Sequence, residues 1–279
     1  MIRRLAILTV LGFFLQSGAQ AGWDLSKLNA DKVVAGGSKV VKAASGIPEA
    51  DEIAIGQDVA QKMEAKFGVL QDAKRTAYID QIGQTLAKKS SRPNLTYHFT
   101  ILDSPDINAF AAPGGFIFIT KGILDFLKDE SELAGIIGHE IGHVTQKHVI
   151  KAIQKANLLS AGADFASAYG SNPQLREELA NFTTNLLIKG LSRQDELEAD
   201  AVGTELMTTG GGYTPLGMRD AMARLGQMEG KSSIVKHLTQ THPPAADRVK
   251  AINQVIESKK LPTNGQRQKA RFETQLRGA

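Results

Sequence analysis

The spacing of apolar residues divides the chain into helical and extended segments. Apolar positions recur at helical spacing over about 51–67 and again over about 72–89. The period then changes, because YHFTIL at 97–102 and FIFIT at 116–120 are short, aromatic and β-branched, which predicts strands. Proline and a Gly-Gly pair lie between them, so we expect a turn that joins the two strands in a small antiparallel sheet.

Beyond these strands the pattern is again helical. The segment 160–173 is rich in small residues and predicts either a helix end with a loop or a flap. The chain shows neither an internal repeat nor a low-complexity tract. We therefore predict one mostly helical α+β domain over 51–258. The predicted helices in its second half cover about 130–155, 174–208, 215–228 and 244–258.

The N-terminus has the pattern of a cleavable export signal. MIRR is basic, LAILTVLGFFL is an apolar run of 11 residues, and AQA precedes Gly22. Such a run is short for a membrane span. We predict a signal peptide at 1–21, a linker or peripheral helix at 22–50 and an exported protein, with an uncleaved membrane tether as the alternative. No Cys is present to carry a lipid.

Composition indicates an ordinary globular protein, with 42% hydrophobic and 22% charged residues among 279. The lack of Cys excludes disulfides, thiolate ligands and a Cys nucleophile. Loss of Arg3 and Arg4 with the signal would leave 31 basic and 29 acidic residues, a nearly balanced chain. Nucleic-acid binding has little support. We expect the basic C-terminal tail, 259–279, to be a solvated helix or tail.

One stretch, IIGHEIGHVT at 136–145, places two histidines and a carboxylate in an apolar run. Helix positions four apart differ by about 40° in direction, so His139 and His143 leave one face a turn apart, as zinc binding requires. Glu140 points about 100° away from His139. Glu140 is therefore a candidate general base rather than a ligand, the arrangement that the pattern HExxH describes.

The residues around this pattern help to decide whether it is a chance match. HExxH also occurs by chance on exposed helices that carry two surface histidines. Here Asp129 and Glu132 predict an N-terminal cap, and the flanking residues are apolar. Gly138 and Gly142 lower helix propensity, so we expect a strand or substrate to approach closely. His148 would point about 140° from the second histidine, and we expect it to make a structural hydrogen bond.

A catalytic zinc site needs a third protein ligand, and SRQDELEADAVG at 192–203 is the best source. Glu196 and Asp200 are four apart on a predicted helix and face one way. Glu196 is the candidate ligand, and Asp200 is a candidate acceptor for the second nitrogen of a ligand histidine. Glu198 lies on another face and is expected to be solvated. A charged helix surface is the alternative for the whole segment.

Four segments in this order, NAFAAPGGFIFIT, HEIGH, ELEAD and THPPAADR, resemble the zinc metallopeptidases of the HtpX and CAAX-prenyl endopeptidase family, above all its soluble periplasmic members. The resemblance covers about 50–258. It implies a zincin-type fold with one Zn(II) per chain on His139, His143 and Glu196, and Glu140 as catalytic base. Some members carry a helical-repeat domain and others a lipid anchor, and we expect neither here.

The resemblance also implies roles for residues around the metal. Asp200 is expected beside a ligand histidine. His242 either occupies the open zinc position at rest or donates to the developing oxyanion, and a loop histidine that orients the next helix is the alternative. Arg248 either makes a structural ion pair or steadies the site.

The resemblance further places a strand beside the cleft. Asn108, Ala109 and Phe110 would lie at an exposed strand edge that can pair with an extended peptide. Ordinary core packing is the alternative for these residues.

The expected function is therefore zinc-dependent endopeptidase activity on unfolded or misassembled envelope proteins, in periplasmic quality control. A second hypothesis is a periplasmic chaperone or assembly factor whose protease activity is weak or gated by His242. A third is a structural zinc site closed by four ligands, against which Glu140 argues. Peripheral association with a membrane remains open, and no nucleic-acid partner is expected.

Overall fold

The computed structural model describes residues 47–156, 169, 171–228 and 242–278. The predicted signal peptide, nearly all of the predicted linker and most of the segment 160–173 lie outside these residues. Helices dominate, and one small sheet lies among them, which confirms the predicted α+β class. The elements are α1 (Glu49–Phe67), α2 (Ala73–Ala87), β1 (His98–Leu102), β2 (Ala109–Ala112), β3 (Phe116–Thr120), α3 (Lys121–Phe126), α4 (Glu130–Thr145), α5 (His148–Lys155), α6 (Pro173–Lys189), α7 (Arg193–Glu205), a π-helical turn (Leu206–Gly210), α8 (Leu216–Met228), α9 (Ala245–Ser258) and α10 (Lys269–Leu276).

The sheet is mixed, with strand order β1-β3-β2. Strands β2 and β3 pair antiparallel, with Phe110 opposite Phe118, whereas β1 and β3 pair parallel, with Thr100 opposite Phe118. The two strands that we expected to be antiparallel are therefore parallel neighbours. The cause is the segment between them, which contains β2 and a tight turn at Pro113–Gly115. Because β2 already reverses the chain, β3 returns in the direction of β1.

Two helices that the periodicity predicts as continuous are each broken once. The prediction over 130–155 is divided into α4 and α5 at Lys147, whose backbone is left-handed (φ 55°, ψ 36°). The prediction over 174–208 is divided into α6 and α7. Gly190 ends α6 at φ 91°, and Ser192 begins α7 with its hydroxyl bound to the backbone N–H of Asp195. Each break redirects the chain, and neither interrupts the apolar spacing.

Helix α4 lies at the centre of the fold. Every residue from Glu130 to Val144 is buried. The predicted cap at its start is confirmed, because the Asp129 carboxylate accepts from the backbone N–H of Glu132 at 3.0 Å. The Glu132 carboxylate reaches back to the N–H of Lys128. In the described part of the chain, α4 and the other helices all lack the length and apolar character needed to cross a bilayer.

The C-terminal segment packs onto the domain. Phe272 is fully buried in the main core cluster, together with Leu276. The backbone carbonyl of Arg267 accepts from the N–H of Glu130, and Arg271 Nε lies 2.9 Å from the buried Glu130 carboxylate. The segment that we expected to be a solvated tail therefore supports the N-terminus of α4.

Helices α4 and α7 cross with almost no space between their backbones. A Cβ added to Gly203 of α7 would lie 2.6 Å from the backbone nitrogen of His139. On α4, the nearest neighbours of a Cβ at Gly138 or Gly142 would be the backbones of Gly203 and Ala199. The close approach that we expected at these glycines is thus made by a helix rather than by a strand or a substrate.

Candidate functional site

The crossing of α4 and α7 brings three potential metal ligands together. His139 and His143 lie one turn apart on α4, and their Nε2 atoms are 3.0 Å apart. Glu196 of α7 places one carboxylate oxygen 3.5 Å from the Nε2 of His139 and the other 3.5 Å from the Nε2 of His143. All three side chains are almost fully buried. The structure therefore assembles the predicted trio from two separate helices.

These distances fit a tetrahedral metal ion. Ligand atoms about 2.0–2.1 Å from a zinc ion lie about 3.3 Å from one another at tetrahedral angles. The Nε2 atoms of His139 and His143 lie 3.0 Å apart, and each lies 3.5 Å from a different oxygen of Glu196, so these distances straddle that value. Two imidazoles and a carboxylate are also a donor set that catalytic zinc sites use. The residues present thus fit the metal that the sequence predicts.

His242 extends the cluster beyond Glu196, and its ring centroid lies 6.1 Å from that of His139. Its Nδ1 is in close contact with Glu196 Oε2. His139, Glu196 and His242 can each offer one ligand atom such that the three atoms lie within 4.8 Å of one another. Burial alone would raise the pKa of Glu196, but His242 and the ligand histidines hold it well below its usual value. Glu196 is therefore ionised, and it contacts both the histidine pair of α4 and His242.

The predicted partner of a ligand histidine is in place. Asp200 Oδ1 lies 2.9 Å from His139 Nδ1. Arg248 of α9 donates to both Asp200 oxygens, from Nε at 2.9 Å and from Nη2 at 2.6 Å. Burial raises the pKa of Asp200, but Arg248 outweighs burial and lowers it to about 2. A permanently ionised Asp200 can therefore hold the His139 ring with Nε2 directed at the ligand cluster.

Arg248 and the carboxylates also change the charge of His139. Burial and Arg248 lower the pKa of His139, yet Asp200 and Glu196 more than compensate and raise it to about 9. The pKa of His143 is instead held well below its usual value, first by burial and then by the charge of His139. Without a metal, one of the two histidines is thus protonated at neutral pH and the other is neutral.

Glu140 lines a small cavity at the open side of the cluster. The cavity is also bordered by His143, Glu196 and His242. Burial, with a contribution from Glu196, raises the pKa of Glu140 to about 7. A carboxyl group that titrates near neutral pH can both accept and return a proton. Glu140 thus lies beside the candidate ligands, and its role as a general base stays a prediction.

Strand β2 forms one wall of the same cavity. Ala109 and Phe110 border it, and it is also lined by Leu187 of α6 and by Gly190 and Leu191, which follow that helix. Because the sheet order places β2 outermost, its far edge is directed away from β3. Asn108 lies just before the strand and uses its side chain to accept from the N–H of Ala109. All three predicted strand residues are buried rather than exposed, and Ala109 and Phe110 also pack in the core clusters, as the alternative expected. Ala109 and Phe110 nevertheless border the cavity.

The sequence did not reveal the partners of His143. The Nδ1 of His143 lies 2.8 Å from the Nδ1 of His148, and the Nε2 of His148 lies 3.3 Å from Glu198 Oε2. The expected structural hydrogen bond of His148 is confirmed, and its partner is a candidate ligand. Glu198, expected to be solvated, is 41% exposed at its side chain and contacts His148. No apolar pattern marks the turn at Lys147 that makes these contacts.

Comparison with known proteins agrees with this geometry. Residues 73–256 match peptidase family M48. The beta-barrel assembly-enhancing protease of Yersinia pestis is 28% identical over 224 residues, which are 76% of this chain and 45% of that protein. The mitochondrial metalloendopeptidase OMA1 of Schizosaccharomyces pombe is 28% identical over 180 residues, 64% of this chain and 52% of that protein. Metalloprotease YcaL of Escherichia coli is 25% identical over 236 residues, 84% of this chain and 90% of that protein.

The extent of these matches differs between the family and the relatives. The chain spans about half the length of the first two relatives. The family match, in contrast, covers most of the chain and includes α4, α7 and the cluster that they form. The chain therefore belongs to peptidase family M48.

Proposed function

We propose that the protein is a zinc-dependent endopeptidase with one Zn(II) per chain, held by His139, His143 and Glu196. The observation that carries this proposal is the buried cluster in which the two Nε2 atoms lie 3.0 Å apart and each lies 3.5 Å from a carboxylate oxygen of Glu196. Bound zinc would supply Lewis acidity, which polarises a carbonyl group and lowers the pKa of water. Among the described residues that line the cavity, Glu140 is the only carboxylate outside the proposed ligand set.

Glu140 acts as the general base of the proposed reaction. It takes a proton from the attacking water and later delivers that proton to the leaving amine. Its pKa of about 7 suits both transfers. Asp200 keeps the His139 ring oriented throughout, because it accepts from His139 Nδ1 and is itself held by Arg248 through both carboxylate oxygens.

His242 and β2 act on the peptide itself in this proposal. An extended substrate adds to the outer edge of β2, where Ala109 and Phe110 border the cavity, and main-chain hydrogen bonds align its scissile bond. His242 donates a hydrogen bond to the oxyanion that develops on the scissile carbonyl. Its contact with Glu196 gives it a second, resting position against the ligand cluster. The same histidine thus serves either to close the site or to assist catalysis.

The proposed setting is the bacterial envelope, with unfolded or misassembled envelope proteins as substrates in periplasmic quality control. The export signal predicted at 1–21 supports this setting, as does the name of the Yersinia pestis relative, which refers to beta-barrel assembly. A chaperone or assembly factor with weak or gated protease activity is the second candidate. The contact between His242 and Glu196 favours it, because that contact can close the site.

The first experiment compares metal content and peptide cleavage in three proteins. The wild type should hold about one zinc per chain and cleave unfolded proteins. Glu140→Gln should retain the zinc and lose turnover, because the amide cannot accept the proton. Glu196→Ala should lose the zinc, since a third ligand is gone. Full turnover in Glu140→Gln would reject the assigned base, and unchanged zinc in Glu196→Ala would move the third ligand elsewhere.

Glu140→Gln also separates the two candidate functions. If the protein acts in the cell by proteolysis, this variant should fail to replace the wild type, whereas if it acts as a chaperone, the variant should replace it. The matched readout is complementation of a deletion strain by the wild type, Glu140→Gln and Glu196→Ala at equal expression. Complementation by Glu140→Gln would favour the chaperone.

A further inference from the structure

The orientation of His148 is produced by an unusual backbone conformation. On a continuous helix, a residue five positions beyond His143 would point about 140° away from it. Lys147 instead adopts a left-handed conformation (φ 55°, ψ 36°), which ends α4 and starts α5 in a new direction. Such a conformation costs a non-glycine residue about 1–2 kcal/mol. The turn places His148 Nδ1 2.8 Å from His143 Nδ1.

The hydrogen bond between the two rings determines where their protons lie. His143 Nε2 faces His139 and Glu196, so it must be free of a proton to bind a metal. The proton of neutral His143 then lies on Nδ1 and is donated to His148 Nδ1. His148 accepts only if its own proton is on Nε2. That nitrogen faces Glu198 Oε2 at 3.3 Å and Asp195 Oδ1 at 3.8 Å.

The burial of these groups excludes water as a substitute partner. The side chain of His148 is fully buried and that of His143 is 4% exposed. The rings meet edge to face, with centroids 5.0 Å apart and planes at 74°. The carboxylates at the outer end reach solvent, with the Glu198 side chain 41% and the Asp195 side chain 25% exposed. A buried imidazole that lost its partner would leave a polar N–H unsatisfied, so the pair constrains both rings.

We propose that His148, held by Glu198, is a positioning residue that fixes the tautomer and ring orientation of the metal ligand His143. This inference rests on the proposed metal site. His143 is thereby supported by a neutral imidazole, whereas His139 is supported by the ionised Asp200. Partners of this kind typically contribute 10- to 100-fold to metal affinity. His148 itself stays outside the metal and the substrate.

The test uses the purified protein with two variants and one control. His148→Phe keeps the ring volume and removes the acceptor, whereas His148→Asn can place an oxygen acceptor near the Nδ1 position. His98→Phe is the control, because His98 is exposed and stacks on Phe116 in β3, outside the proposed site. Zinc affinity is measured by competition with a chelator, and the protonated nitrogen of each ring by ¹⁵N NMR of the metal-free protein.

We expect zinc to bind His148→Phe about 10- to 100-fold more weakly than the wild type. His148→Asn should recover most of that loss, and the control should match the wild type. In the metal-free wild type, His143 should carry its proton on Nδ1 and His148 on Nε2. The NMR result needs no variant, so a variant that fails to fold does not remove the test.

Two outcomes would overturn the inference. One is a proton on Nε2 of His143 in the metal-free wild type, and the other is wild-type zinc affinity in a folded His148→Phe protein. A wild type that binds no zinc would instead refute the proposed metal site. In that case the NMR assignment would still decide whether His148 sets the His143 tautomer. Failure of the inference and failure of the proposed function therefore give different results.

Discussion

The crossing of α4 and α7 can be perturbed by one methyl group. A Cβ at Gly203 would lie 2.6 Å from His139 N, 2.8 Å from the carbonyl carbon of Gly138 and 2.9 Å from His139 Cα. These are backbone atoms, so no side chain can rotate away. Ordinary contact begins at 3.4 Å, which means that Gly203→Ala must separate the helices by about 0.8 Å at this point. We predict that the separation disables the metal site.

The expected size of the effect follows from comparing the displacement of about 0.8 Å with the displacements that folding, metal binding and catalysis each tolerate. Overpacking costs about 1–3 kcal/mol, and alanine recovers about 1 kcal/mol of helix propensity, so the protein should remain folded. Metal–ligand distances tolerate only about 0.2 Å. Glu196 and Asp200 lie on the displaced helix, whereas His139 and His143 lie on the other. Misplacement of reacting groups by about 1 Å reduces rates about 100-fold, and we expect a loss of that size in turnover.

The assay combines zinc content, peptide cleavage and thermal unfolding. Gly226→Ala is the matched control, because among the described residues its Cβ would meet only the Cβ of Ala245, at 3.2 Å. We expect Gly203→Ala to melt cooperatively while losing zinc and turnover, and Gly226→Ala to resemble the wild type. Wild-type zinc affinity in Gly203→Ala would refute the idea that the close helix crossing sets the ligand geometry.

Three further predictions concern charge and packing. The pKa of Asp200 is lowered to about 2 in the folded protein, so its ionised form adds stability that is complete above the unfolded pKa near 4 and is lost as pH falls towards 2. Between these pH values, the free energy of unfolding of the metal-free wild type, measured with denaturant, should fall by about 2 kcal/mol more than that of Asp200→Asn. Phe272→Ala should lower the free energy of unfolding by about 3–5 kcal/mol, and a loss under 1 kcal/mol would mean that α10 is dispensable. Zinc binding at pH 7.5 should release a proton from His139, whose pKa is about 9, and calorimetry in buffers of different ionisation enthalpy should detect it.

Local spacing was enough to predict where the chemistry lies on each helix. His139 and His143 share a face because they are four apart, and the same rule pairs Glu196 with Asp200. The cap at Asp129 was equally local. These features depend on residues within one turn of one another, and the structure reproduces them.

Features that depend on a change of chain direction were not predictable in this way. The apolar period continues across Lys147, and lysine is not a residue that marks a left-handed turn, so the contact between His148 and His143 was hidden. The direction of β3 was missed because β2 is short and consists mainly of alanine, a weak strand former. The role of Gly203 was not predictable either, because a glycine in the sequence indicates that something packs closely against it but not which segment does so.

The buried charges explain how such a site can fold before any metal enters. Glu196 and Asp200 are ionised and Arg248 is positive, so these three groups leave one negative charge inside the protein. A buried charge without a partner would be strongly destabilising. The two carboxylates resolve this by raising the pKa of His139 to about 9, which places one compensating proton on that ring. The proton thus supplies one positive charge where the metal would supply its charge. Glu196, which would bind the metal, and Asp200, which orients His139, stabilise that proton when no metal is bound. Metal affinity should therefore fall as pH decreases below about 9, because each binding event must displace that proton.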